Sequence, residues 1–372
     1  MVICFNATRE AKVALDALVE TGQFSDTSEV ISMALVNYHV IQRAVTENRE
    51  MLHASLSPAA KQPSSAAQPA VVEGTRPERP EVLPSPVPRE IPRLFQLAED
   101  RPSDEDLLSI DTPKADYKSV SPKEWLFGQW NRFLPAKATS RAMLNIMRDH
   151  RSGLPVNDAA NKISYAACDL GDYLRMLDAR YITRAREQFV SAAFPSTTHS
   201  GAESRLRYGN QFVGTIKQGK LIGLPGALRL VAHDSAKDPN LRLTKAGAEF
   251  AAMRNPLLDS GTTGPTEKFT EDEIRFLLQH IQACVPEEVS AFVAIIDAIS
   301  EGANTPDKMD AFLRLRFGFK DEAEMTATFL STQRTGAISR LADLGLVYRE
   351  KTGLRVTYMV SHPGKCFRSQ IS

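Results

Sequence analysis

The alternation of apolar and polar positions in the first 46 residues predicts one short strand followed by two helices. Val2 to Thr8 alternate with the period of two that a strand requires. Apolar residues then recur at helical spacing from Arg9 to Glu20, Gly22 ends that helix, and a second helix is expected to begin near Asp26. Because so short a unit cannot bury that much apolar surface alone, residues 1–46 are expected to form a homodimer.

No apolar periodicity survives between residues 47 and 120. Eleven of the 22 prolines lie between Pro58 and Pro113, so we expect a Pro-rich disordered linker over 47–120. One apolar run, IPRLFQLAED followed by DEDLLSID, is either an incidental patch in this linker or a short docking segment. We take it as incidental, because such patches are common in flexible chains.

Regular patterns resume near Trp125 and define a region over 121–260. Helices are predicted over 138–150, 156–163 and 165–179, and the run LRLTKAGAEFAAM predicts a strand that leads through Thr244 into a helix. The interval from Arg184 to Asp234 contains several β-like runs. It is either an enlarged wing or an inserted small sheet.

The region over 266–372 repeats this order of elements. Three helices are predicted in PEEVSAFVAIIDAISEG, TPDKMDAFLRLRFG and EAEMTATFLSTQRTGAISRLADLGL, and VYREKTGLRVTYMV predicts a hairpin with its turn at Thr352 and Gly353. The predicted fold class is therefore mainly α with small β elements.

The run TGQFSDTSEVISMALVNY resembles the second half of a ribbon-helix-helix domain of the Arc/MetJ/CopG type. The resemblance implies that two chains pair their strands into a ribbon that enters the DNA major groove. It places Val2, Cys4 and Asn6 toward the bases, and Asn6 carries the donor and acceptor that read adenine. The helix start that it places against phosphates comprises Ser25, Asp26, Thr27 and Ser28.

Both later regions resemble tandem winged helix-turn-helix domains, which implies a third helix in the major groove and a hairpin wing on the backbone. In the first region the candidate recognition segment is 164–175, with Ser164, Tyr165 and Arg175 as polar candidates beside Asp169 and Asp172. In the second region, Arg and Gln suit bases while Ser and Thr suit phosphates. The recognition-helix candidates are Ser331, Thr332, Gln333, Arg334, Thr335, Ser339 and Arg340, and the wing candidates are Arg349, Lys351 and Arg355.

Charge is segregated along a chain whose formal net charge is zero. Residues 331–355 hold five Lys and Arg against two Asp and Glu, whereas residues 267–324 hold six against 13. A positive stretch on a helix and wing suits a DNA backbone. The acidic stretch is expected to face solvent or a protein partner.

The remaining motifs argue against an enzyme. The four cysteines are widely separated, the histidines lack metal-ligand spacing, and the glycines in KLIGLPGALR lack the following Lys-Ser or Lys-Thr of a P-loop. We therefore expect no catalytic residue, metal or cofactor, and the absence of a long apolar run predicts a cytoplasmic protein without membrane contact.

The sequence as a whole predicts a prokaryotic, sequence-specific protein that binds double-stranded DNA. Such a protein would be a dimeric transcriptional repressor or autoregulator, or a plasmid-maintenance factor. The alternative is a non-enzymatic adaptor subunit of a DNA-processing or phage-defence complex, whose winged helices contact protein.

Overall fold

A computed structural model describes residues 90–98, 101–110, 116–179, 189–197, 201–234, 237–259, 267–320, 324–353 and 355–371. The predicted ribbon-helix-helix unit lies outside these residues, and so do its candidates Asn6, Ser25, Thr27 and Ser28. The described part is mainly helical with three small sheets, as the sequence predicts.

Helices and short antiparallel strands alternate in the first half of the described chain. Its helices are α1 (Leu134–Asp149), α2 (Val156–Ala179), α3 (Gly201–Tyr208), α4 (Leu224–Ala227), α5 (Lys245–Ala252) and α6 (Pro256–Asp259). Its strands are β1 (Leu154–Pro155), β2 (Thr215–Lys217), β3 (Lys220–Ile222), β4 (Val231–His233) and β5 (Asn240–Leu243).

The second half consists of four helices, a hairpin and a final helix. The helices before the hairpin are α7 (Glu271–Cys284), α8 (Pro286–Ser300), α9 (Pro306–Arg316) and α10 (Ala327–Asp343). The hairpin strands are β6 (Val347–Thr352) and β7 (Arg355–Val360), and α11 (His362–Gln370) follows.

A hydroxyl side chain caps α5 where the sequence predicts that helix to begin. The Thr244 side chain accepts a hydrogen bond from the amide of Gly247 at 2.9 Å, which confirms the predicted passage from strand to helix. The predicted break between residues 163 and 165 is wrong, because α2 is continuous. The Ser164 hydroxyl donates to the Asn161 carbonyl at 3.1 Å within the helix instead of capping a new one.

Strands β1, β5 and β4 form one antiparallel sheet in that order, and β2 and β3 form a separate hairpin. The turn residues Gln218 and Gly219 both have positive φ, at 51° and 73°, as a two-residue hairpin turn requires. Because β2 and β3 do not extend the sheet of β4 and β5, the interval from Arg184 to Asp234 contains an inserted small sheet.

The apolar run within the predicted linker is docked on the fold. Phe95 is fully buried, and the Asn145 side chain donates to the carbonyls of Leu94 and Gln96 at 3.0 and 2.9 Å. Further along, the Leu108 amide donates to the carbonyl of Leu243 at 2.9 Å. The expectation of a disordered linker is therefore wrong for residues 90–98 and 101–110, because burial of these apolar side chains offsets the entropy of ordering them.

The described residues between 90 and 351 and between 356 and 371 belong to one compact unit, and a buried ion pair joins its two halves. Lys137 on α1 lies 2.8 Å from the Glu273 carboxylate on α7, with both side chains fully buried. Burial lowers the pKa of Lys137 to about 8, although Glu273 opposes that shift. Glu273 and Glu288 belong to the acidic stretch 267–324, so the expectation that this stretch faces solvent or a partner is wrong for both.

Candidate nucleic-acid interface

Helix α10 and the hairpin after it carry most of the predicted DNA contacts. The helix begins after Thr326, whose hydroxyl accepts from the Phe329 amide at 3.2 Å, and Gly345 with φ of 70° follows its end. Strand β7 is bonded to the turn after α8, because the Tyr358 amide donates to the Asn304 carbonyl at 2.8 Å. These contacts fix the two ends of α10 and join β7 to the residues after α8.

Arg340 is fully buried, so the expectation that it contacts DNA is wrong. Its Nε and Nη2 donate to the two carboxylate oxygens of Glu288 at 2.5 and 2.8 Å, and its Nη1 donates to the Trp130 carbonyl at 2.8 Å. Burial raises the pKa of Glu288, and the guanidinium opposes that shift. The guanidinium nitrogens that would bind a base are therefore bonded to Glu288 and Trp130 instead.

Arg334 and Gln333 are also buried, and the same correction applies to both. Arg334 donates to the Asp310 carboxylate at 2.6 and 3.2 Å, which joins α10 to α9. The Gln333 side chain accepts from the Gly128 amide at 2.5 Å and donates to the Pro122 carbonyl at 3.1 Å. Neither side chain can reach a base while these hydrogen bonds hold.

Residues 121–133, here named the covering segment, lie against α10 and contribute to the burial of Gln333 and Arg340, whereas Arg334 is bonded to α9. The closest approach is between two glycines: a Cβ added at Gly336 would lie 2.2 Å from the Gly128 carbonyl oxygen, and one added at Gly128 would lie 2.1 Å from the Thr332 carbonyl oxygen. Only glycine permits two backbones to approach so closely. On α10 the candidates that stay accessible are Thr335, which is exposed, and Ser331, Thr332 and Ser339, which are half-buried.

The hairpin retains its predicted basic surface. Arg349 and Lys351 are exposed on β6, and Arg355 is exposed at the start of β7. Because side chains two apart on a strand share a face, Arg349 and Lys351 point the same way. We name residues 347–360 the basic hairpin.

The first region keeps one of its three candidates as an exposed polar group. Ser164 is buried, so its expected DNA contact is wrong. Tyr165 is 59% exposed. The guanidinium carbon of Arg205 lies 3.8 Å from the centre of its ring, a cation–π contact that the sequence analysis missed, because the two residues are 40 positions apart.

The Arg175 guanidinium bonds to a neighbouring aspartate and to a loop. Its Nη1 donates to the Asp172 carboxylate at 2.6 Å, and its Nη2 donates to the carbonyls of Phe194 and Pro195 at 2.8 Å each. The side chain is 37% exposed, and its expected role in DNA contact stays a prediction.

Two kinds of feature are absent from the residues that the structure describes. Within them, no three side chains of His, Cys, Asp or Glu are grouped to hold a metal ion. None of the helices described has both the length and the apolar character needed to cross a membrane. No protein-family model, curated protein or solved structure matches this chain.

Proposed function

We propose that this protein is a non-enzymatic, sequence-specific double-stranded DNA-binding protein. It acts as a dimeric transcriptional repressor or autoregulator, or as a plasmid-maintenance factor. The observation that carries the proposal is the basic hairpin, which exposes Arg349, Lys351 and Arg355 immediately after a three-helix unit.

The order of elements supports a winged helix in each half. Helices α8, α9 and α10 precede the two-stranded basic hairpin in the second half, and one backbone hydrogen bond, from Tyr358 to Asn304, joins β7 to the residues after α8. In the first half, β1 lies between α1 and α2, and it pairs with β5 of the later hairpin. Winged helices use the hairpin to contact the DNA backbone, as this basic surface allows.

In this proposal, different parts of the chain supply affinity for the DNA backbone and recognition of its sequence, because the main recognition-helix candidates are buried. With Gln333, Arg334 and Arg340 engaged internally, the basic hairpin supplies phosphate contacts and α10 adds only hydroxyl groups. Base reading is assigned to the ribbon of residues 1–46 in a homodimer, and linkage of weak modules in one chain raises the overall affinity.

The test measures the salt dependence of DNA binding by fluorescence anisotropy. The variant Arg349→Gln, Lys351→Gln, Arg355→Gln is compared with the wild type on a duplex from upstream of the protein's own gene and on a scrambled duplex. The slope of log affinity against log salt should become shallower by about 2.7 for each hairpin on the duplex, or about 5.4 when both hairpins of the dimer bind, because each lost phosphate contact contributes about 0.9. A control removes the same charge elsewhere through the exposed residues Arg254, Arg275 and Lys308, each changed to Gln.

A protein-binding adaptor is the second candidate, and the buried face of α10 favours it. A recognition helix that is covered by residues 121–133 cannot enter a major groove, whereas the basic hairpin and the exposed acidic residues of 267–324 can still contact protein. An unchanged slope in the hairpin variant, or weak binding that ignores DNA sequence and salt, would overturn the DNA proposal in favour of the adaptor.

A further inference from the structure

A cavity of about 450 Å³ lies between the covering segment, α4 and the start of α10. Aromatic side chains form much of its wall: Trp125, Phe127 and Trp130 from the covering segment and Phe329 from α10. Cavities of this size and composition suit a small organic ligand, with a few polar groups to orient it.

Arg229 lines this cavity from an unfavourable backbone conformation. Its φ is 58°, in the left-handed region that favours glycine. The position follows α4, where the Arg229 amide donates to the Gly226 carbonyl and the Leu230 amide to the Pro225 carbonyl, both at 2.9 Å. This is the helix-end motif in which glycine is the usual residue, and glycine would adopt this backbone conformation at a lower energetic cost than Arg229 does.

The guanidinium of Arg229 has an unmet donor. Its Nη1 is buried and, among the described residues, has no hydrogen-bond partner. Buried donors are nearly always paired, so this Nη1 leaves the Arg229 guanidinium incompletely bonded within the protein. A carboxylate is the natural partner, because its two oxygens match the guanidinium fork.

The other charges on the wall restrict the ligand to a single negative charge. Lys123 is a second cation, whereas Glu124 and Glu287 are carboxylates. The Glu124 carboxylate accepts from the Ser121 amide at 3.0 Å. Two carboxylates would repel a polyphosphate, but a monoanion can approach Arg229 with its apolar part toward the rings.

We infer that this cavity is a binding site for a planar aromatic carboxylate. Its ring packs against Trp125, Trp130 and Phe329, and its carboxylate accepts hydrogen bonds from Arg229. Gln333 also lines the cavity and bonds the covering segment to α10, so the ligand contacts both sides of that junction. Binding therefore stabilises the covered arrangement of α10.

The tryptophans of the chain provide a direct readout, because it has only two and both line the cavity. The full-length protein is titrated with naphthoate and with its neutral analogue naphthamide, followed by tryptophan fluorescence and by calorimetry, without DNA. We expect saturable quenching by naphthoate, with a Kd at least about tenfold below that of naphthamide, the ratio expected for one charge-assisted hydrogen-bond pair.

Two variants of Arg229 separate ligand binding from structural support. Arg229→Gln should weaken naphthoate about tenfold or more and leave naphthamide unchanged, while the exposed Arg254→Gln should alter neither. Arg229→Gly should likewise lose the preference for naphthoate but keep or raise the Tm, because glycine suits the left-handed backbone. Equal affinities for naphthoate and naphthamide, no saturable quenching, or naphthoate binding that survives Arg229→Gln would each overturn the assignment.

Discussion

Replacement of Arg340 should destabilise the protein by an amount that depends on pH, because it leaves the buried Glu288 carboxylate without its cation. Both side chains are fully buried and bonded through two oxygens at 2.5 and 2.8 Å. In Arg340→Met the carboxylate loses its cation, and its pKa, already raised by burial, rises further. The folded protein then binds a proton that the unfolded chain releases above the ordinary value of 4.5.

The size of this loss follows from linkage. If the folded variant keeps the Glu288 carboxyl protonated up to pH 7, each pH unit above 4.5 lowers the free energy of unfolding by about 1.4 kcal/mol, which amounts to about 3.4 kcal/mol at pH 7 and about 1.4 kcal/mol at pH 5.5. The lost hydrogen bond to the Trp130 carbonyl adds about 1 kcal/mol at either pH. The expected total at pH 7, about 4 kcal/mol, agrees with the roughly 3–5 kcal/mol typical of a broken buried pair.

Urea unfolding followed by tryptophan fluorescence at pH 7 and pH 5.5 measures both quantities. We expect Arg340→Met to be about 2 kcal/mol less damaging at pH 5.5, and its Tm at pH 7 to fall by roughly 8–16 °C. The double variant Arg340→Met, Glu288→Leu is the control, since an apolar pair buries no charge and should recover most of the loss. Equal destabilisation of the single variant at both pH values would refute the reasoning.

Two further substitutions test the contacts of α10 and α8. Gly336→Ala should destabilise the protein by about 1–3 kcal/mol in thermal unfolding, because the new Cβ would lie 2.2 Å from the Gly128 carbonyl oxygen; an uncovered helix would instead gain about 1 kcal/mol. Asp297→Asn should cost about 1 kcal/mol at neutral pH and flatten the acid limb of the stability curve. Burial alone would raise the pKa of Asp297, but hydrogen bonds from Arg368 and Arg316 hold it below 3.8. Its contribution is therefore present above pH 3.8 and is lost as pH falls through the lower folded pKa. A D297N protein with an unchanged acid limb would contradict this account.

Local patterns were sufficient to predict the longer helices other than α7, together with β5 and the hairpin of β6 and β7, but not which faces are covered. Strand β5, its Thr244 cap and helix α5 are predicted because the signals for each lie within a few residues. The burial of Arg340 could not be predicted in the same way, because its partner Glu288 is 52 positions away and arginine is normally counted as exposed. The charge excess of residues 331–355 was misleading for this reason, since two of its five cations are internal.

Residues 90–98 were predicted to be disordered but are docked on the fold, again because the deciding contacts are distant in sequence. Their composition is that of a linker, and only the position of Asn145, about 50 residues later, decides that Leu94 and Gln96 find partners. The cavity beside α10 was also out of reach, because Arg229 and Trp125 are distant in sequence. A positive φ at a non-glycine residue leaves no local signal in the chain.

The ion pair between Lys137 and Glu273 has a consequence for any attempt to divide the chain. If the two halves were separated by cleavage or truncation, Lys137 and Glu273 would each lose their ion-pair partner. The apolar side of α7 would also become exposed to water. We therefore expect the amide protons of α1 and α10 to exchange with solvent through one shared opening event, as a single cooperative folding unit, and limited proteolysis should yield the joined body rather than two stable fragments.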